Sequence, residues 1–404
     1  MYDVIVVGAR CAGAATAMLL ARQGHKVLMV DQATFPSDIP QSTHLLWHAG
    51  TDLLHKWGLL DAVRKSNCPA LTQFTLDLGE MTLQGTPPGA QVGEAFGPRR
   101  IVLDQILLDA ALAAGAELRE QVSFEGVLTE AGRVVGIKAK QADGSVFEVR
   151  ARLVIGADGR TSPVARAVNS EVYNEVSKKQ GSCNTYAYFS GLPVKGVEFI
   201  STPERMAYAW QTNDKQVIVG VIHPARDCPM GKSQAEAWFY SSLKEMSPSL
   251  STRVRAARRE SDWMNIAIGT FCRKPTGPGW ALVGDAGLTM DPITAGGMTN
   301  ALRDAELLSG LVHQGLSSGG SMDEALAGFE EQRNAVSLPL YQFTQQMAQL
   351  APPTEEVFQL FGALAGNQVE TDRYFGVFAQ TVSPADFFDP AKLAQLIAPS
   401  SSPT

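Results

Sequence analysis

The N-terminal stretch YDVIVVGARCAGAAT, residues 2–16, constrains the fold of this chain more than any other part of it. Val4–Val7 is a run of β-branched residues that ends at Gly8, which is typical of a strand buried on both faces of a parallel sheet. Residues 12–23 predict a helix with a face of small side chains, and Val27–Val30 predicts the next strand. Strand, turn, helix and strand in this order predict one βαβ unit.

The turn after the first predicted strand is typical of a loop that binds a dinucleotide. Gly8 permits a tight turn, and Gly13 permits close packing of the helix on the strand. The free N–H groups at the start of the helix, around Cys11 and Ala12, favour a pyrophosphate. Arg10 stands where such loops usually have a second glycine. Its guanidinium can reach a phosphate or the edge of a flavin, so we predict that Arg10 contacts the cofactor.

Asp31 lies at the end of the second predicted strand. A carboxylate at this position can accept hydrogen bonds from an adenosine ribose, and it would repel a 2′-phosphate. The sequence therefore favours FAD or NAD over NADP as the bound dinucleotide. The alternative is a structural βαβ unit that binds no nucleotide.

Two later stretches each predict a strand followed by a turn that contains an aspartate. The first, residues 153–166, contains the pattern Asp158, Gly159, Ser162 and Arg166. The second, residues 280–308, continues into a helix from about Met298 and contains Gly284, Asp285, Asp291, Pro292, Gly296 and Gly297. These two motifs and the N-terminal turn, in this order, resemble the FAD-dependent monooxygenase superfamily with the p-hydroxybenzoate hydroxylase fold. Geranylgeranyl reductases and flavin halogenases share that fold, and the resemblance covers at least residues 1–310.

The resemblance implies roles for residues of the third motif and for one histidine. Asp285 would bind the ribityl chain of FAD. The helix that begins near Gly297 and Met298 would direct its N terminus at the pyrimidine end of the flavin, where its dipole stabilises negative charge. The residues expected at the reactive edge of the flavin, and therefore in catalysis, are Pro292, Gly296, Gly297 and His44.

The resemblance implies that four further residues contact the cofactor. Arg100, at the start of the predicted helix 99–116, would contact FAD, and the backbone at Val122 would contact the adenine. Asp158 and Gly159 would serve both FAD and nicotinamide binding. The structural alternative for Asp158 and Asp285 is that each caps a turn, because Asp-Gly pairs are common in turns.

The resemblance implies a fold of the α/β class with a discontinuous, Rossmann-like FAD-binding domain. A substrate domain with a mostly antiparallel β-sheet is inserted into it, and a helical segment follows. The expected ranges are 1–70, 96–172 and 272–340 for the FAD-binding domain, 71–95 and 173–271 for the substrate domain, 341–395 for the C-terminal helical segment and 396–404 for a disordered tail.

Aromatic residues alternate with small ones in the second part of the substrate domain. In MAYAW the strand period of two places Tyr208 and Trp210 on one face, and Ala207 and Ala209 on the other. We expect four aromatic residues to line the pocket of an apolar, aromatic or polycyclic substrate: Tyr186, Tyr188, Tyr208 and Trp210. The alternative is that these rings pack in the core.

The amino-acid composition limits the classes of partner that the chain is expected to bind. The net charge is −7 and no long basic run occurs, so nucleic acid is not expected. No stretch reaches the roughly 18 apolar residues that a membrane span needs. The five cysteines are scattered, which predicts neither a metal site nor a disulfide framework and favours a reducing, cytoplasmic setting. The sequence around His44, His48 and His55 lacks a His-Glu-x-x-His pattern, so no metal ligand is predicted there.

An FAD-dependent enzyme is expected, with NADH or NADPH as the reductant. The leading hypothesis is a monooxygenase, in which a flavin hydroperoxide formed with O2 passes one oxygen atom to a small-molecule substrate. One alternative is a reductase that saturates prenyl double bonds, and another is an FAD-binding protein without catalysis. A halogenase is disfavoured because no tryptophans are spaced as in Trp-x-Trp-x-Ile-Pro and residues 71–95 contain no lysine. The sequence does not predict the oligomeric state.

Overall fold

The computed structural model describes residues 1–228, 231–317 and 320–398. The helices are α1 (Cys11–Arg22), α2 (His48–Lys56), α3 (Leu60–Lys65), α4 (Arg100–Ala113), α5 (Pro163–Ala167), α6 (Lys232–Met246), α7 (Pro248–Ala256), α8 (Gly297–Leu316), α9 (Met322–Ala348), α10 (Glu355–Ala365), α11 (Gln368–Ala379), α12 (Pro384–Phe387) and α13 (Pro390–Ile397). The strands are β1 (Tyr2–Val7), β2 (Val27–Val30), β3 (Ala70–Leu71), β4 (Phe74–Asp77), β5 (Thr82–Gly85), β6 (Ala95–Phe96), β7 (Glu117–Arg119), β8 (Ser123–Glu130), β9 (Arg133–Lys140), β10 (Val146–Gly156), β11 (Val172–Val176), β12 (Ser182–Ser190), β13 (Val197–Thr202), β14 (Arg205–Gln211), β15 (Gln216–Pro224), β16 (Arg258–Arg259), β17 (Met264–Ala267), β18 (Thr270–Arg273), β19 (Thr276–Gly277), β20 (Trp280–Leu282) and β21 (Leu288–Thr289). Within these ranges, no helix is both long and apolar enough to cross a membrane.

The first sheet contains the parallel strands and has the order β19, β20, β10, β1, β2, β7. The strands from β20 to β7 run parallel, and the hairpin β8–β9 pairs antiparallel with the start of β10. Val4 and Val6 of β1 pack against α1, α4 and α8, while Ile5 and Val7 pack against β8, β9 and α5. The β-branched run therefore forms a strand that is covered on both faces, as predicted.

The second sheet is mostly antiparallel, as expected, and has the order β16, β12, β15, β14, β13, β4, β5. Only β13 and β4 pair in parallel, and β17 also pairs with β12. The predicted alternation along β14 is confirmed. Tyr208 and Trp210 belong to the core on one face, and Ala207 and Ala209 to the core on the other face, beneath α6 and α7.

The C-terminal helices cover the aromatic face of the second sheet. Leu360 and Leu364 of α10, and Tyr374 and Phe375 of α11, join Tyr208 in one apolar core. The aromatic face is consequently closed off from solvent by residues that follow the family motifs in sequence.

The predicted segment limits fall in several places inside elements of the structure. Residue 272 lies within β18, which pairs with β11 and β21 in a separate three-stranded sheet. Residue 340 lies within α9, and the segment expected to be disordered, 396–404, begins inside α13. Residues 399–404 lie outside the described residues. The domain limits stay predictions.

The structure differs from the cysteine prediction at one pair. Cys183 and Cys228 form a disulfide across 45 residues of sequence, with their Cα atoms 5.9 Å apart. Pairing of β12 with β15, followed by the 3-10 turn Ala225–Asp227, brings the two sulfurs together, and no sequence spacing indicates this. Because disulfides are typical of oxidising compartments, the cysteines give no support to a cytoplasmic setting, which stays a prediction.

Candidate active site

Two glycines fix the loop between β1 and α1. A Cβ atom at Gly8, where φ is 101°, would lie 2.4 Å from the carbonyl oxygen of Ala157. A Cβ at Gly13 would lie 1.8 Å from the carbonyl oxygen of Gly8. Helix α1 begins after Arg10 with no side-chain cap, so no described side chain satisfies the N–H groups of Ala12 and Gly13. This helix N terminus is therefore available to an anion such as a pyrophosphate.

Arg10 lies beside this loop and is already held by protein groups. Its guanidinium donates to the hydroxyl of Ser37 at 2.6 Å, pairs with Asp104 at 3.4 Å and lies 5.6 Å from the ring centroid of Phe35. Its side chain is 24% exposed. A contact between Arg10 and the cofactor stays a prediction.

Asp104, in the first turns of α4, was missed by the sequence analysis and connects three predicted cofactor residues. It is 1% exposed, and it accepts hydrogen bonds from Arg100 at 2.9 and 3.1 Å and from the backbone N–H of Cys11 at 3.2 Å. It also pairs with Arg10. The signal that could have revealed it is the i, i+4 spacing of Arg100 and Asp104 on one helix face. Burial raises the pKa of the Cys11 thiol, which disfavours the thiolate and gives no support to a nucleophilic role.

Asp285 lies in the short turn Gly284–Ala286 that follows β20. Its side chain is exposed and has no hydrogen-bond partner among the described residues, yet surrounding protein raises the pKa of its carboxyl by desolvation. The nearby charges of Arg100 and Arg160 oppose that shift. A carboxylate that is exposed and also crowded by protein lies in a cleft rather than on a convex surface. Such a group suits the hydroxyls of a ribityl chain, because it can accept several hydrogen bonds.

The backbone of the Asp285 turn is held by a second buried carboxylate that the sequence analysis missed. Asp304 of α8 accepts a hydrogen bond from the N–H of Gly284 at 2.9 Å, and burial raises the pKa of Asp304 to about 6. A Cβ at Gly284 would lie 3.0 Å from the Cβ of Ala12, so this turn touches the start of α1. The structure thereby brings Asp285, Arg100 and the N terminus of α1 to one cleft.

Asp31 and Val122 meet at the outer edge of the first sheet. The carboxylate of Asp31 accepts hydrogen bonds from the N–H groups of Ala9 and Ala33, each at 2.8 Å. The N–H of Val122 donates to the carbonyl of Asp31 at 2.9 Å. These contacts fix the loops at the place where the adenosine is expected, and the contacts of Asp31 with ribose and of Val122 with adenine stay predictions.

Asp158 has the contacts of a capping residue. Its carboxylate accepts hydrogen bonds from the hydroxyl of Ser162 at 2.5 Å and from the N–H of Val164 at 2.9 Å, at the start of α5. Gly159 has a positive φ of 76° with open space around it. These contacts agree with the structural alternative for Asp158, and its expected role in FAD and nicotinamide binding stays a prediction.

The turn before α8 is fixed by Asp291. Its carboxylate accepts hydrogen bonds from the N–H and hydroxyl of Ser182, at 3.0 and 2.6 Å, and from the N–H of Ile293 at 3.1 Å. Pro292–Thr294 forms a 3-10 turn, and α8 then begins at Gly297 after an uncapped Gly296. No atom lies within 4 Å of a Cβ built on Gly297. With Met298 in the first turn, this is a second helix N terminus whose N–H groups are open to a ligand.

His44 is fully buried in the segment that joins β2 to α2. Neither ring nitrogen has a hydrogen-bond partner among the described residues, and its ring lies 5.7 Å from that of Tyr188. Burial lowers the pKa of His44 well below its usual value, and the charges of Arg99 and Arg100 lower it further. The imidazole is therefore neutral at pH 7, and a flavin contact stays a prediction.

A cavity of about 120 Å³ lies between the Pro292–Thr294 turn, the aromatic face of the second sheet and the C-terminal helices. Tyr208 and Trp210 line it, with their rings stacked at 4.5 Å. None of its lining residues is charged. The lining consists of Thr43, Trp47, Leu76, Leu78, Phe199, Ser201, Met206, Tyr208, Trp210, Ile222, Pro292, Ile293, Thr294, Ala295, Met347, Phe361, Tyr374, Phe375 and Phe378.

Tyr186 and Tyr188, expected beside the substrate, do not line this cavity. Their hydroxyls donate to the carbonyls of Pro40 and Ser42, at 2.8 and 3.3 Å. They therefore hold the segment that leads to His44. The sequence analysis also missed the part of the lining that comes from α9, α10 and α11, because no motif marks those residues.

Comparison with known proteins agrees with this geometry. A family model described as FAD binding domain matches residues 1–344. The digeranylgeranylglycerophospholipid reductase of Methanocella arvoryzae is 27% identical over an alignment of 361 positions that covers 84% of each chain. The flavin-dependent brominase Bmp2 has a similar structure, with a TM-score of 0.81 at 17% identity over 98% of this chain and 99% of the other. The p-nitrophenol 4-monooxygenase PnpA of Pseudomonas putida also has a TM-score of 0.81, at 16% identity over 95% and 98%.

The residues present fit FAD. Two uncapped helix N termini suit a pyrophosphate and the electron-rich end of a flavin, and the unpaired carboxylate of Asp285 suits sugar-like hydroxyls. The family match spans all three motifs from which the resemblance was drawn. The chain therefore belongs to the FAD binding domain family and is an FAD-dependent oxidoreductase.

Proposed function

We propose that the protein is an NAD(P)H-driven monooxygenase that inserts one oxygen atom from O2 into a small, uncharged, largely apolar molecule. The observation that supports this most is the cavity between the Pro292–Thr294 turn and the aromatic face of the second sheet. A charged substrate would lose its hydration there without gaining a partner, because no lining residue is charged. Tyr208 and Trp210 offer flat apolar walls that suit a ring.

The volume of the cavity limits the size of the substrate that it can hold. Its volume is about 120 Å³. An engineered apolar cavity of about 150 Å³ in another protein binds benzene. The space therefore suits a single ring better than a fused polycyclic system or a long prenyl chain.

The bound FAD would supply electron transfer from NAD(P)H and activation of O2. The chain itself would bind, orient and exclude water. The start of α8 would stabilise negative charge at the pyrimidine end of the flavin, and Asp285 would hold the ribityl hydroxyls. His44 is neutral at pH 7, so it would add no charge beside the ring.

The test is substrate-gated oxidation of NADH or NADPH by the FAD-loaded protein. We expect toluene or phenol to accelerate this oxidation, and benzoate, which is charged, to have no effect. Ser201→Phe should abolish the acceleration because Ser201 lines the cavity. Thr202→Phe is the matched control, since the next position of the strand points to the opposite face. Equal acceleration in wild type and Ser201→Phe would refute the proposed site, and acceleration by benzoate alone would refute the substrate class.

Similarity to the reductase of Methanocella arvoryzae favours a second candidate, the saturation of prenyl double bonds. A prenyl chain would need more room than the cavity offers, unless α10 and α11 move apart. Saturation of a prenyl substrate without O2 consumption would favour this candidate over the monooxygenase.

A further inference from the structure

Tyr374 of α11 lines the same cavity as Pro292 and Tyr208. It is 7% exposed, and its ring is enclosed by Phe361 at 5.8 Å and Phe378 at 5.4 Å between ring centroids. Because both neighbouring rings meet it edge to face, Tyr374 has little room to turn. Its hydroxyl is therefore held in a fixed place.

The hydroxyl of Tyr374 differs from those of the other tyrosines. Of the eight tyrosines in the chain, two have no hydrogen-bond partner for the hydroxyl within the described ranges, and these are Tyr240 and Tyr374. Tyr240 is part-exposed on α6, where water can bond to it. The other six hydroxyls have partners, in Tyr2, Tyr173, Tyr186, Tyr188, Tyr208 and Tyr341.

The other polar groups of the cavity are already paired or reach solvent. Tyr208 exchanges hydrogen bonds with Asn184, at 2.9 and 3.1 Å. Thr294 pairs with the hydroxyl of Thr344 at 3.0 Å. Thr43 and Ser201 also line the cavity, but both are part-exposed. The hydroxyl of Tyr374 has no partner among the described residues and is not fully enclosed by protein, so a ligand that bonds to it would gain a hydrogen bond that an apolar ligand of the same shape lacks.

We propose that Tyr374 determines specificity by hydrogen-bonding one neutral oxygen or nitrogen atom of the bound molecule. The ligand class is a single-ring, uncharged compound that carries one hydroxyl, carbonyl or amino group. A tyrosine hydroxyl both donates and accepts, so each of these groups can pair with it. The contact fixes which part of the ring faces the Pro292–Thr294 turn. This inference rests on the proposed function in one respect, which is that the molecule bound by Tyr374 is the one that is then oxidised.

Calorimetric titration of the FAD-loaded protein with phenol and with toluene tests this directly. The two probes have nearly the same shape and differ in one polar group. We expect the wild type to bind phenol more tightly than toluene, and Tyr374→Phe to weaken phenol binding roughly five-fold while toluene binding stays unchanged. Tyr240→Phe removes a hydroxyl outside the cavity, and it should change neither affinity.

Three results would overturn the proposal. They are equal weakening of both probes in Tyr374→Phe, unchanged phenol binding in that variant, and a wild type that does not distinguish the probes. The melting temperature of ligand-free Tyr374→Phe gives a second measurement. It should equal that of the wild type, because the substitution removes a hydroxyl that has no protein partner to lose, and a clear decrease would show that the hydroxyl has one. The titration contains no NAD(P)H and therefore tests binding alone. Tyr374-dependent binding of phenol, combined with no phenol-stimulated oxidation of NADH or NADPH in a separate assay, would refute the monooxygenase and leave this contact in place.

Discussion

Replacement of Asp285 by alanine should separate FAD affinity from stability. The carboxylate of Asp285 has no hydrogen-bond partner in the described part of the chain, and desolvation raises its pKa. Its removal should therefore leave the stability of the FAD-free protein unchanged or slightly higher. In the complex, hydrogen bonds from ribityl hydroxyls to a charged acceptor are worth about 1.5–3 kcal/mol. The Kd for FAD should therefore rise roughly ten- to 150-fold, as measured by quenching of FAD fluorescence on titration with the FAD-free protein.

The matched control is Asp109→Ala, because Asp109 is an exposed residue of α4. It should leave the Kd for FAD unchanged. Asp291→Ala offers the opposite contrast, since Asp291 is buried and fully bonded within the protein, and we expect it to lose stability. An unchanged Kd for FAD in Asp285→Ala would refute the assignment of Asp285 to the ribityl chain.

Asp104→Ala should lower the free energy of unfolding by about 3–5 kcal/mol in urea titrations, because Arg100 would lose its buried partner; a loss below about 1 kcal/mol would contradict this. Burial lowers the pKa of His48 to about 4 from 6.5, so below pH 6.5 the unfolded chain binds a proton that folded His48 does not. His48 should therefore reduce the free energy of unfolding as pH falls from 6.5 to about 4, by at most about 1.4 kcal/mol per pH unit. His48→Leu should flatten the pH dependence over that range, and parallel curves for wild type and variant would contradict this. Tyr208→Ala removes a fully buried ring that is stacked on Trp210, so the free energy of unfolding of the variant should fall by about 3–5 kcal/mol. A melting temperature equal to that of the wild type would show that the ring does not stabilise the core.

Local patterns were enough to predict the FAD-binding half of the fold. The β-branched run of β1 was enough to predict a buried strand, because its neighbours on both faces need only be apolar, whatever their identity. Gly8 and Gly13 were enough to predict the tight turn, because a Cβ atom at either position would collide with backbone atoms. The alternation in β14 likewise separated the aromatic face from the alanine face.

The features that the sequence did not reveal depend on contacts between distant segments. Asp104 acquires its importance only when α4 packs beside the start of α1. The Cys183–Cys228 disulfide depends on the pairing of β12 with β15. The hydroxyls of Tyr186 and Tyr188 donate hydrogen bonds to backbone carbonyls 146 residues away in sequence. No strand pattern indicates these two hydrogen bonds. The cavity is closed by helices that follow the last family motif, so its size and its lack of charge appear only in the folded chain.

The most direct test of the proposed reaction is mass spectrometry of the product formed from a single-ring substrate under isotopically labelled O2. We expect the product to contain one labelled oxygen atom, with one NAD(P)H oxidised and one O2 consumed for each product molecule. A product that gains hydrogen but no labelled oxygen, formed equally well without O2, would contradict the monooxygenase and leave the reductase as the function of this site.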